Sequence, residues 1–228
     1  MRFSVSYTGL LALSISAIAT TFRHRACQAL TTNPLDGCPS NTILVSQANS
    51  NASFSLIQSA IESIPKDNTS WTILVAPGNY TEQLNITRSG PLTILGQTRN
   101  PAEQNKNLVT VYWSAANVNV SYPDNAYTSI LTIAPTLEAS LTGSGPTGYA
   151  VPAGTPFGNS DFRAYNIDFR NVFSEVSVGP SLALSVSRAN AGFYRCGFYS
   201  FQDTVSLHIR WLPRFMTLIC IGVCWEAW

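Results

Sequence analysis

An all-β architecture is what the 228-residue sequence predicts, and three features carry that expectation. Eight short β-like runs recur along the chain, one segment alone has helical periodicity, and Gly, Pro and Asn fill the gaps instead of helices. The helix comes first. Ser53 to Ile64 places Phe54, Ile57, Ile61 and Ile64 on one face, and Pro65 stops the run. Strands are expected at Thr72–Val75, Leu84–Ile86, Leu92–Leu95, Leu108–Trp113, Ser129–Ile133, Phe162–Phe169, Leu182–Val186 and Gly192–Phe198, with turn chemistry such as Ala76-Pro-Gly-Asn79 and Ser89-Gly-Pro91 between them. Periodicity by itself leaves a sandwich, a barrel and a solenoid open. The polar excursions at Gln97–Asn107 and Pro135–Gly158 exceed hairpin turns and suit loops projecting from the coils of a β-helix.

Composition narrows the class of function. Charged residues make up 11% of the chain, where a typical soluble domain carries roughly 25%. Ser 26, Thr 21 and Asn 17 instead supply the polar surface. With 45% hydrophobic and 11% aromatic residues the chain buries a large core, which excludes disorder. A net charge of +1 gathers no phosphates, so nucleic acid is not an expected partner. Arg2, the acid-free apolar stretch Tyr7–Ala19 and the small residues Ala17-Ile18-Ala19 read as an export signal over residues 1–19. That stretch is too short for a membrane span, which needs about 20 residues. Sequons at Asn51, Asn68, Asn79, Asn85 and Asn119 point to a secreted, extracellular glycoprotein. Cys27 and Cys38 could close a small loop within the segment 20–40, leaving Cys196, Cys220 and Cys224. With only His24 and His208 as imidazoles, no metal site and no cofactor are expected.

The chemistry concentrates in two blocks, Gly158-Asn-Ser-Asp-Phe-Arg-Ala-Tyr-Asn-Ile-Asp-Phe-Arg-Asn171 and Ala191-Gly-Phe-Tyr-Arg-Cys-Gly-Phe-Tyr-Ser-Phe-Gln-Asp-Thr204. Upstream stand Thr72-Ile-Leu-Val-Ala-Pro-Gly-Asn-Tyr-Thr-Glu82 and Leu92-Thr-Ile-Leu-Gly96. Together, over about 41–205, these blocks resemble the pectinesterases, secreted esterases that remove methyl groups from pectin. The resemblance implies a single-stranded solenoid, a right-handed parallel β-helix with an N-terminal helix. In such enzymes one Asp acts as general acid and base, a second Asp one coil later attacks the ester carbonyl, glutamine amides hold the oxyanion and an arginine orients the nucleophile. Residue by residue, Asp203 matches the acid/base and Gln202 an oxyanion donor. Methyl-esterified pectin is the implied partner, its de-esterification releasing methanol in cell-wall modification and pectin catabolism, and the protein is expected to be a monomer with no membrane span after signal removal.

Two departures qualify the match. The family's first oxyanion glutamine falls on Pro180, in Pro180-Ser-Leu-Ala-Leu184. Beyond Val205 the resemblance ends, and residues 206–228 read as an unrelated hydrophobic tail in which Glu226 is the one carboxylate side chain. The β-helix is therefore expected to be incomplete at the C-terminus, and the chain inactive because the second Asp and the Arg are missing. The alternative is a secreted, non-catalytic polysaccharide-binding β-helix glycoprotein. Among other pectin-degrading β-helices such as a lyase or polygalacturonase, lyase chemistry would want a calcium-binding carboxylate cluster and a basic catalytic residue, neither arranged that way here, and a serine triad lacks its base. Tyr165, Phe169, Phe193, Tyr194, Phe198, Tyr199 and Phe201 are assigned mostly to the interior, since alternate strand positions usually pack the core.

Overall fold

The computed structural model describes residues 24–144, 154–208, 218–221 and 224–226, so the expected export signal and residues 209–217 of the tail lie outside it. Strand β1 (Thr42–Val45) and helix α1 (Ile57–Ser63) open the fold. The chain then coils through β2 (Trp71–Val75), β3 (Gly78–Thr81) and β4 (Leu84–Ile86). It repeats the circuit as β5 (Leu92–Gly96), β6 (Val109–Trp113) and β7 (Leu131–Ile133), then β8 (Phe162–Tyr165), β9 (Ile167–Asn171) and β10 (Leu184–Ser187). The last turns hold β11 (Ala191–Tyr194), β12 (Gly197–Tyr199), β13 (Val205–His208), β14 (Leu218–Ile221) and β15 (Cys224–Glu226). Three parallel sheets result: β1-β2-β5-β8-β11-β14, β3-β6-β9-β12-β15 and β4-β7-β10-β13. This is a parallel β-helix.

Register explains why short runs suffice to hold it. Each coil sets the same inward position above the last, so Ile73, Ile94, Ala164 and Phe193 form one buried column. Tyr80, Val111, Phe169 and Phe198 form a second, and Leu84, Leu131 and Leu184 a third. Burying each such side chain contributes about 1.5–3 kcal/mol. The Phe169 and Phe198 rings stack at 5.3 Å, and Phe193 meets Phe198 edge-on at 5.1 Å.

Two runs predicted as single strands are each broken in two. Asn166 (φ 54) and Arg195 (φ 56) adopt the left-handed conformation and turn the chain from the first sheet to the second. Asn is among the residues that visit this region most readily, and alternation alone gave no warning of the corner. The turn also sorts the aromatics: Phe169, Phe193 and Phe198 are interior, while the tyrosines stand outward. In Gly192-Phe-Tyr194 and Gly197-Phe-Tyr199 the tyrosine ring lies back over the glycine two residues earlier, approaching a Cβ at Gly197 to 2.4 Å.

Helix α1 matches the predicted apolar face, with Ile57, Ile61 and Ile64 buried. Leu56 at its N-cap makes no side-chain bond. The orphan N–H groups are instead satisfied from the next coil, where Glu82 Oε1 accepts from Ile57 N and Oε2 from Gln58 N, both at 2.8 Å. The N-terminal segment is tied by a Cys27–Cys38 disulfide and covers the outer face of the first sheet. There Cys27, Leu44, Leu74 and Leu95 form a second apolar cluster. Residues 205–208, 218–221 and 224–226 pair in parallel with β10, β11 and β12, adding a backbone rung to each sheet. No helix among the described residues is long and apolar enough to cross a membrane.

Candidate active site

Asp203 and Gln202 lie in the bend between β12 and β13. Ser181 N donates to Gln202 O at 2.9 Å, and Ala183 N and Leu184 N donate to Thr204 O at 2.9 and 3.1 Å. The Gln202-Asp-Thr204 block therefore rests directly on the Pro180–Leu184 block of the preceding coil, two segments 22 positions apart in the match that the sequence suggested. Ser181 and Ser200 hydroxyls meet at 2.8 Å and pin the bend from below. Asp203 itself has φ 55 and is exposed. Asp tolerates this conformation better than most residues, so a carboxylate is presented to solvent at modest backbone cost.

Gln202 is held by one end. Ser177 Oγ donates to its Oε1 at 2.7 Å, which leaves the amide NH2 as the end able to donate to a developing oxyanion. Pro180, standing where the family pattern has glutamine, contributes only its carbonyl, which accepts from Asn117 N at 2.8 Å. By the β10–β13 register the residue one coil before Asp203 is Leu182, which is fully buried. Glu226 pairs with Tyr199 on the second sheet, so its backbone is not on the sheet that Asp203 leads into. Among the described residues, the coil position in register with Asp203 is thus apolar.

A groove of about 600 Å3 runs alongside, and Phe201, two residues before Asp203, lines it. Its wall is an outward column of the second sheet, Tyr112, Arg170 and Tyr199 in register. The Arg170 guanidinium sits 3.8 Å from the centroid of the Tyr199 ring and donates to Asp168 Oδ2 at 3.2 Å. Asp168 is buried and further held by Gln104 and Asn107, whose side-chain amides donate to Oδ1 at 3.0 and 2.8 Å; Gln104 also reaches the Tyr199 hydroxyl at 2.9 Å. At the groove's far side Asn171 clamps three coil segments, its Nδ2 lying 2.8 Å from Ala115 O and 3.1 Å from both Thr128 O and Leu182 O.

Sequence reasoning singled out Asp203 and Gln202 as candidates and passed over Arg170, Tyr112 and the Asp168 network, which the structure places together. Their signal was the alternation in Ile167-Asp-Phe-Arg170, where every second residue must face out of the solenoid once the core column is recognised. Among the described residues no cluster of His, Cys, Asp and Glu could hold a metal ion.

Stacked parallel coils with the exposed Asp203 near a groove lined by Tyr112, Tyr199, Phe201, Arg170 and Glu175 define a parallel β-helix protein. No family model matches the chain. Among curated proteins it is 26% identical over 200 residues to Pectinesterase A of Emericella nidulans, covering 88% of this chain and 50% of the relative. Among solved structures, the pectin methylesterase from Aspergillus niger superposes with a TM-score of 0.60 at 23% identity, over 82% of this chain and 50% of that one. A pectin methylesterase in complex with a hexasaccharide gives 0.53 at 24% identity, over 72% and 45%. The chain is similar in sequence and fold to pectinesterases, which are carboxylic ester hydrolases. It spans about half the length of the curated relatives it matches.

Proposed function

We propose that the protein is a secreted, extracellular and monomeric pectinesterase that hydrolyses the methyl esters of pectin, with Asp203 as general acid and base and Gln202 as an oxyanion donor. The observation that supports this best is the seating of Gln202-Asp-Thr204 on the Pro180–Leu184 rung, which puts an exposed carboxylate and a one-end-tethered amide directly after Phe201, a residue of the groove. Aromatic rings and a guanidinium in that groove suit the apolar faces and the uncapped carboxylates of a partly methylated uronate chain. In the reaction, a second aspartate attacks the ester carbonyl while Asp203 gives its proton to departing methoxide and then takes one from the water that frees the acyl-enzyme. Of those two carboxylates the match assigns Asp203 alone, so this polypeptide is proposed to be inactive by itself.

Secretion is supported by the disulfide and by the exposure of Asn51, Asn68, Asn79 and Asn119, four of the five sequon asparagines. The Aspergillus niger enzyme carried an N-acetylglucosamine stub on an asparagine. A second reading, a non-catalytic polysaccharide-binding glycoprotein, is favoured by the groove standing complete without the nucleophile. Sequencing the transcript across Val205–Ser206 tests the first. The expected result is a frame that restores a further Asp motif and an arginine, whose product releases methanol from methylated pectin and loses roughly 100- to 10,000-fold with Asp203→Asn. A restored product with full activity after that substitution overturns the assignment.

A further inference from the structure

Away from the Asp203 groove, the corner between the first and second sheets holds a second cavity of about 240 Å3. Its construction follows from the coil register. The outward column of the first sheet reads Leu74, Leu95, Tyr165, Tyr194 from coil to coil. The disulfide-tied N-terminal segment packs over the two leucines, and where the column changes to tyrosine the described residues beside it include His24, Arg25, Gln28, Pro101 and Ala102. Tyr165 and Tyr194 stack at 4.4 Å with an interplanar angle of 9°, and His24 meets Tyr165 edge-on at 4.8 Å. Arg25 and Arg195 complete the polar lining, and no carboxylate is among the lining residues.

We propose that this cavity is a binding site for one uronate-type sugar ring, separate from the groove at Asp203, in which Tyr165 and Tyr194 contact the ring and Arg25 and Arg195 receive its carboxylate. Two features favour such an occupant. Two guanidiniums without a lining carboxylate make the cavity selective for an anion, since the nearby Arg163 is already paired with Asp161 at 2.8 Å. His24, 8% exposed, lines the cavity beside Tyr165. Burial and the charge of Arg163 also hold the His24 imidazole below its usual pKa, so it stays neutral and can bond a hydroxyl in either sense. The volume lies under the roughly 300–1,000 Å3 of pockets for drug-sized ligands, which restricts the guest to about a single ring.

The choice of galacturonate as the first probe rests on the esterase reading, whereas the anion selectivity does not. The purified full chain is titrated calorimetrically with galacturonate, glucuronate and galactose. Saturable uronate binding at least about tenfold tighter than galactose is expected, a difference of roughly 1.4 kcal/mol. Arg25→Gln with Arg195→Gln should weaken it by at least about tenfold. Arg25 is exposed, so Arg25→Glu alone decides the matter if the double variant fails to fold. Equal affinity for galactose, no saturable uronate binding, or binding that survives Arg25→Glu each overturns the proposal. A preference for glucuronate over galacturonate supports the site while counting against the esterase reading, and absent methanol release leaves this titration unaffected.

Discussion

Glu82 closes the motif Pro77-Gly-Asn-Tyr-Thr-Glu82, and its work is structural. It stands at 7% exposure with one carboxylate oxygen on each of two helix N–H groups at 2.8 Å. Replacing it with Ala leaves both donors buried and removes the only side-chain acceptor that α1 has at its start, since Leu56 caps nothing. Two bonds to a charged acceptor at about 1.5–3 kcal/mol each bound the loss at roughly 3–6 kcal/mol. For a chain of this size a loss of about 3 kcal/mol lowers the thermal midpoint by about 6–12 °C. Glu82→Gln should fall between, because its carbonyl accepts one N–H while its NH2 faces the other. Circular dichroism melting of the parent and both variants checks the order. A midpoint for Glu82→Ala within about 2 °C of the parent would refute the claim that the motif's glutamate caps the helix from the neighbouring coil.

Gly96 and His24 test the N-terminal half further. A Cβ on Gly96 would lie 2.2 Å from Asn166 O, a backbone atom of the next coil's corner, so Gly96→Ala should cost about 3 kcal/mol in urea unfolding. Gly192→Ala, which meets only the Tyr194 ring at 3.0 Å, should cost clearly less, and equal losses would contradict the corner's rigidity. Burial and Arg163 depress the His24 pKa, so the unfolded chain takes up the proton first as pH falls through about 6.5. The stability that His24 contributes is thus complete above that pH and declines below it until the folded-state pKa is passed. Between about pH 7.5 and 5.5 the parent's thermal midpoint should therefore fall more than that of His24→Phe, and parallel falls would refute the assignment.

What the sequence displayed was whatever depends on side-chain period and type. Ile57, Ile61 and Ile64 read as a helix face because one stripe of apolar residues needs no knowledge of neighbours. Strands such as Leu84–Ile86 were visible for the same reason. The corners at Asn166 and Arg195 were not, because a left-handed residue inside an apolar alternation leaves the alternation intact while sending the strand to another sheet. Gly78–Thr81 was hidden by its turn-like composition, and pairing with β6 overrides that propensity. At the candidate site, the motif put Gln202 and Asp203 forward, and the structure seats them on the Pro180–Leu184 rung. Arg170 over Tyr199 was not, since their partnership exists only once β9 and β12 lie in register. Nor could the cavity at His24 be read, as it depends on a disulfide segment folding back over coils more than a hundred residues away.

The most direct test is methanol release from highly methylated pectin by the purified 228-residue polypeptide, beside its Asp203→Asn variant. If ester cleavage needs two carboxylates on successive coils, both proteins should give the same background rate while still retaining pectin on a binding column. Sustained methanol production by the parent, abolished in the variant, would show that Asp203 works without the partner this account requires.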